Sequence, residues 1–228
     1  MKRQLQFVHV GKCGGSTVGK ILSVSPVVAN NYYSYFESHI NGVVIDSTCD
    51  FLFCIRNPID RAFSAFEWRK KLVLEDMMPD QVRRFPGEAR ILRKYKSLGS
   101  MARSLYRSDE QVDQAVARDF QSVHHLRESI SFYGRPLLGV LTPSNILGVV
   151  CQETLSIDCI RILDVDSVGV QERSNTSKRR VDHDLDAEAV NNLKRFLVED
   201  YQFIAALWSL GALSNQQFWR VMKSSVEE

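Results

Sequence analysis

Apolar positions come in short runs that switch between two periods. Leu5, Phe7, Val8 and Val10 read as a buried strand, and a glycine-rich turn follows. Helical spacing then continues through Val18, Ile21 and Leu22, opened by Ser16 and Thr17. The unit recurs at residues 51–68, where Phe51 to Ile55 form a strand ending at Arg56. Asn57 is a good helix cap and Pro58 suits a first helical position. Ile59, Ala62, Phe63 and Phe66 make a core stripe, which puts Asp60, Arg61, Ser64 and Glu67 on the outward, polar side. Residues 69–135 are charge-dense and read as helical, with breaks near Pro79, Pro86 and Gly99. Beyond them, residues 146–151 and 159–163 read as two buried strands joined by a brief helix or turn. Asp186 is placed to cap a long helix with the stripe Val190, Leu193, Leu197, Tyr201 and Ile204, and the tail around Trp208 and Trp219 packs as a last helix. With no repeat and no linker, residues 1–228 form one domain. The expected fold is three-layer α/β/α, a mostly parallel sheet with helices on both faces.

Composition adds little. The 228 residues are 44% hydrophobic and 25% charged, ordinary for a globular domain. A net charge of +2 gives no ground for a nucleic-acid or membrane-surface partner. No apolar run is long enough for a membrane anchor, and the chain runs directly into its first strand, which favours a cytoplasmic enzyme. Five cysteines, an odd number with no CxxC pair, suggest neither a disulfide framework nor a zinc site.

The chemistry begins at VGKCGGST, residues 10–17. A strand feeding a glycine turn into a helix presents unpaired N–H groups and the positive end of a helix dipole, a seat for phosphate or sulfate. Gly14 and Gly15 let backbone approach the anion, and Lys12 adds a mobile charge. The nucleoside triphosphate loop GxxxxGK[ST] is met only at Gly15 and Thr17; Val10 and Ser16 stand where its first glycine and its lysine belong. A glycine turn without a ligand accounts for the same pattern. Beside Lys12, the Cys13 thiol is expected to have a depressed pKa.

The pair VGKCGGST and CIRNPIDRAFSAF resembles the two nucleotide-binding signatures of the sulfotransferases that use 3′-phosphoadenosine-5′-phosphosulfate (PAPS), especially their carbohydrate-type branch. That resemblance implies that Lys12, Gly14, Gly15, Ser16 and Thr17 hold the 5′-phosphosulfate, and that Arg56 and Ser64 hold the 3′-phosphate. The family usually has Pro, Thr or Ser, and Asp where this chain has Gly11, Cys13 and Asn57. It also implies a closing loop over the nucleotide; Arg173, Ser177, Lys178 and Arg179 are assigned there. The acceptor is expected to be a hydroxyl of a carbohydrate or small molecule, and no metal is required.

A sulfuryl transfer needs a base, and histidine suits neutral pH. His39 lies between the two signatures and is read as that base, with Glu37 as the carboxylate alternative. Two rival readings stand beside this one. Residues 42–46 (GVVID) resemble a strand ending in a magnesium-binding aspartate, as in a small-molecule kinase, and a non-catalytic nucleotide-binding protein would keep the loop alone. The basic stretch 89–108, with Arg90, Arg93, Lys94, Lys96, Arg103 and Arg107, reads either as an anionic-acceptor surface or as a solvated helical face. Adjacent His124 and His125 would point about 100° apart on a helix, so one at most would face a given site.

Overall fold

The protein's architecture was obtained as a computed structural model that describes residues 2–39, 42–166 and 185–225. Four strands, β1 (Arg3–His9), β2 (Tyr32–Ser38), β3 (Asp50–Ile55) and β4 (Ile146–Cys151), form one sheet in the order β2-β1-β3-β4. Every pairing is parallel, with Val8 opposite both Ser38 and Phe53, and Ile55 opposite Cys151. Along β1 and β3, consecutive residues from Leu5 to Val8 and from Phe51 to Ile55 are all buried. Neighbouring side chains on a strand point to opposite faces, so both faces of the central strands are covered, as a parallel sheet requires. This agrees with the expected α/β arrangement. β2 lies at an edge, and there Tyr33 and Tyr35 are exposed.

The first half contributes α1 (Gly15–Leu22), α2 (Pro26–Asn31) and α3 (Pro58–Lys70), which runs into a π-helical turn at Lys71–Glu75. The predicted helical segment follows as α4 (Pro79–Arg84), α5 (Glu88–Tyr95), α6 (Leu98–Arg103), α7 (Gln114–Ser122), α8 (His124–Arg127) and α9 (Ile130–Gly134). Pro79 starts a helix, as its fixed φ allows, whereas Gly99 lies inside α6 and breaks nothing. The chain ends with α10 (Leu155–Leu163), α11 (Ala187–Phe196), α12 (Val198–Ser209) and α13 (Asn215–Met222). Asp186 caps α11 through Ala189 N–H at 2.9 Å, but the long helix predicted after it divides at Leu197.

Two hydrophobic clusters organise these elements. The first joins the sheet to α1, α9, α10, α12 and α13; the second joins α3 to α5, α6, α7, α8 and α11. Complete burial of residues such as Phe7, Phe53 and Phe66 contributes roughly 1.5–3 kcal/mol each. The polar side of α3 is only partly outward as predicted: Ser64 and Glu67 are half-buried, but Asp60 is covered by the end of the chain and Arg61 by α8. Asp60 and Arg61 are buried. Asp60 accepts from Ser224 Oγ at 2.6 Å and from Ser225 N at 3.0 Å, and the Arg61 guanidinium donates to the carbonyl oxygens of His125 and Glu128.

Two strand predictions fail. Residues 159–163 belong to α10, where Cys159 and Leu163 lie one turn apart on the buried side while Ile157 and Ile160 face outward. Asp158 anchors that helix to the sheet by accepting from Cys151 N at 2.9 Å and Thr154 Oγ1 at 2.7 Å. Residues 42–46 are irregular, with Val44 and Ile45 exposed. Asp46 closes a local turn there by accepting from Thr48 N at 2.8 Å. Among the described residues no helix is long and apolar enough to cross a membrane.

Candidate functional site

All four strands end at one rim, and the residue just inside or after each end faces a common cleft of about 640 Å³. β1 delivers His9 and the glycine turn, β2 delivers His39, β3 delivers Arg56, and β4 delivers Gln152 and Glu153. Ser64 and Trp68 reach the same cleft from α3. In open parallel sheets the carboxyl rim is where ligands sit, because the helices that follow aim their N-termini there.

The glycine turn has the backbone an anion seat needs. Gly14 is in the left-handed region at φ 84° and stands at the N-cap of α1, where no side chain among the described residues makes a cap hydrogen bond. A Cβ on Gly14 would lie 2.5 Å from Leu155 of α10, so glycine is required there for space as well as for φ. Lys12 also has a positive φ, 70°. Its Nζ sits over the Trp68 ring, 4.3 Å from the centroid, a cation–π contact that holds the charge at the mouth of the turn. Burial, and then the positive charges of Arg56 and Arg61, lower the Lys12 pKa from 10.5 to about 8. Among the described residues the sequence assigned to the donor, Lys12, Gly14, Gly15, Ser16, Thr17, Arg56 and Ser64 all line this cleft.

Behind the turn lies a stack of imidazoles. His9 and His39 are 4.2 Å apart between ring centroids and nearly parallel. His9 Nδ1 meets Glu37 Oε1 at 2.5 Å, while burial keeps the His9 pKa below its ordinary value. His39 Nδ1 is 2.9 Å from the carbonyl oxygen of His9. A carbonyl oxygen only accepts, so Nδ1 carries the proton and Nε2 keeps a lone pair available as a base. Glu37, the alternative base, is thereby committed to His9. Glu153 completes the rim: Oε1 accepts from Asn57 N at 2.7 Å, Oε2 is buried without a partner among the described residues, and burial raises the carboxyl pKa.

Several expectations do not survive. Cys13 is fully buried and faces the carbonyl of Gly11, so burial pushes its thiol up to about 12 rather than down. No residue of the basic stretch lines the cleft. Lys94 pairs with Asp119 at 2.7 Å, Arg103 with Asp186 at 2.9 Å and Arg107 with Asp109 at 3.3 Å, which makes it a solvated face. His124 and His125 do approach a common partner, Glu128, because they stand four and three residues before it, the two spacings that meet on one helix face. Arg173, Ser177, Lys178 and Arg179 lie outside the described residues.

His9, Trp68 and Glu153 are site residues the sequence reading passed over. Each carried a faint signal: a histidine closing an apolar strand two residues before a glycine turn, an aromatic one turn beyond Ser64, and an acid just after a buried strand. No family model matches this chain, and neither does any curated protein or solved structure.

Proposed function

We propose that this protein transfers a sulfuryl group from PAPS to an acceptor hydroxyl, most simply on a carbohydrate, within a P-loop, sulfotransferase-like architecture. The observation that carries this reading is the convergence of the glycine turn and the Arg56–Ser64 pair on one cleft, two anion-binding features suited to a nucleotide charged at both its 5′ and 3′ positions.

In this reading the first-turn N–H groups of α1 and Lys12 hold the phosphosulfate, and Arg56 and Ser64 hold the 3′-phosphate. His39 Nε2 takes the proton of the acceptor hydroxyl as its oxygen forms a bond to sulfur. The bond from sulfur to the bridging phosphate oxygen breaks, and 3′-phosphoadenosine-5′-phosphate leaves with the electron pair. Lys12 neutralises the charge growing on that oxygen, which is the electrostatic contribution a preorganised donor makes in a partly buried site. The magnesium-dependent kinase alternative is weakened by the lysine position and by Asp46, whose carboxylate is engaged in a turn.

Thermal denaturation tests the reading directly. 3′-Phosphoadenosine-5′-phosphate is expected to raise the melting temperature of the intact chain, ATP with magnesium to leave it unchanged, and Arg56→Ala to abolish the rise. Protection by ATP–magnesium alone would overturn the proposal in favour of a kinase. Nucleotide binding without transfer to any of a panel of carbohydrate hydroxyls would favour a non-catalytic binding protein.

A further inference from the structure

Beside the cleft, α8 and the residue after it bring His124, His125 and Glu128 together. One potential ligating atom from each lies within 4.8 Å of the others. His124 Nε2 is 3.1 Å from Glu128 Oε1, and His125 Nδ1 is 3.9 Å from Glu128 Oε2. The side chains are only 6%, 13% and 3% exposed. Among the described residues, neither Glu128 Oε2 nor His125 Nδ1, both buried, has a hydrogen-bond partner. Buried polar atoms are nearly always satisfied, and here two orphans that can both ligate face each other across a gap too wide for a direct bond.

We propose that His124, His125 and Glu128 form a binding site for one divalent transition-metal ion of the zinc class, open to the cleft through His125. A tetrahedral ion with bonds of about 2.1 Å sets its donors roughly 3.4 Å apart; each imidazole nitrogen stands near that distance from one oxygen of the Glu128 carboxylate, His124 Nε2 from Oε1 and His125 Nδ1 from Oε2, so the carboxylate would bridge toward both. Two imidazoles and a carboxylate leave a fourth position vacant, the donor count of an open site.

The surroundings select the kind of ion. Arg61 donates to the carbonyls of His125 and Glu128, and the Arg127 guanidinium lies 3.4 Å from Glu128 Oε1. Such cationic neighbours oppose a hard ion held by charge alone, such as magnesium or calcium. An ion held through nitrogen donation tolerates them, which points to zinc or cobalt. A Cβ on Gly11 would be 3.4 Å from His125 Nδ1 and 3.6 Å from His39 Cε1, so the ion would sit next to the turn and the imidazole stack. The site does not depend on the sulfuryl-transfer reading.

The test is cobalt titration of the full chain after chelation. One Co²⁺ per chain is expected, with the visible ligand-field bands of a low-coordinate nitrogen–oxygen site. Zinc should displace it at equimolar concentration, and excess magnesium should not. His125→Ala and Glu128→Gln should each weaken binding by at least 10- to 100-fold, since even outer-shell changes cost about that much. His39→Gln should leave binding intact, which separates this cluster from the other imidazole pair. If Glu128→Gln does not fold, His125→Ala, whose side chain borders the cleft, decides alone. Absence of stoichiometric cobalt, binding unchanged in the His125 variant, or loss of binding in the His39 variant would each overturn the assignment. None of these outcomes bears on protection by 3′-phosphoadenosine-5′-phosphate.

Discussion

The ring of His9 occupies the space that a side chain on Gly15 would need. A Cβ there would lie 1.9 Å from His9 Cδ2 and 2.2 Å from Nε2. Gly15 opens α1, and His9 is locked between Glu37 and His39, so the imidazole stack and the anion seat are in direct register. Gly15→Ala should therefore do two things at once. Overpacking should lower stability by about 1–3 kcal/mol, measured as a shift in the urea midpoint. It should also displace His9 from Glu37. In the His9→Ala background the same glycine change should cost much less, the coupling expected of residues in contact. Equal costs in both backgrounds would mean the two do not touch.

Lys12 gives the site an alkaline limit. Its pKa of about 8 means that the free protein loses this charge well below the ordinary 10.5. Between those values the unfolded chain binds more protons than the folded one, so this residue's contribution to folding stability rises with pH across that window. Anion binding has the opposite dependence. A bound phosphate favours charged lysine, so affinity for 3′-phosphoadenosine-5′-phosphate should be level from about pH 7, where its phosphates are fully ionised, to about pH 8 and fall above that, by at most about tenfold per pH unit. Calorimetric titration against pH checks this, and Lys12→Arg, permanently charged, should remove the fall. On the proposed mechanism Lys12→Ala should also cost on the order of 3 kcal/mol in kcat/KM.

Arg69 and Glu88 form a buried pair, 2.6 Å apart and each 1% exposed. The Arg69 Nη1 group also donates to Gln81 Oε1 at 2.7 Å, and Glu88 Oε1 accepts from His124 N at 3.0 Å. Glu88→Gln leaves an uncompensated guanidinium inside the helical layer and should destabilise by about 3–5 kcal/mol in urea denaturation. Replacing both partners by apolar residues of similar volume should recover most of the loss. A single-variant cost below about 1 kcal/mol would show that water reaches the pair.

All five cysteines are free and buried. A thiol reagent should therefore find no fast-reacting group in the native protein, Cys13 included, because the thiol held up to about 12 supplies almost no thiolate at neutral pH. Stopped-flow thiol titration should show reaction only as denaturant opens the chain. A single rapid thiol mapped to Cys13 would contradict its burial.

The parts of the fold that were legible are those whose signal is local. β1 with its glycine turn, and β3 followed by the Asn57 cap and Pro58, each announce themselves within fifteen residues or so of chain. Asn57 caps as expected, accepting from Ile59 N at 2.9 Å and Asp60 N at 3.2 Å. What failed depended on partners distant in sequence. Asp60 looks solvent-facing until Ser224 and Ser225 at the end of the chain are laid over it, and Arg61 until α8 is. Residues 159–163 are short and apolar enough for either period, and the helix is set by distant partners: Asp158 binds the end of β4, Ser25 Oγ donates to the Leu163 carbonyl, and Cys159 and Leu163 pack into the core. Cys13 beside Lys12 suggested an activated thiol, but its side chain turns into the core while the lysine turns toward Trp68. His9 was hidden because a buried strand position normally signals packing rather than chemistry.

The cleft draws one contribution from the end of each strand, and those ends come from residues 9, 38, 55 and 151. Local pieces of chain cannot assemble it. Pairing strands so far apart is slow, since loop closure must precede any reward from contact. A molecule stalled with one strand undocked lacks a wall of the pocket. Ligand capture during refolding would thus time the completion of the whole sheet, and the last strand to dock would set its rate.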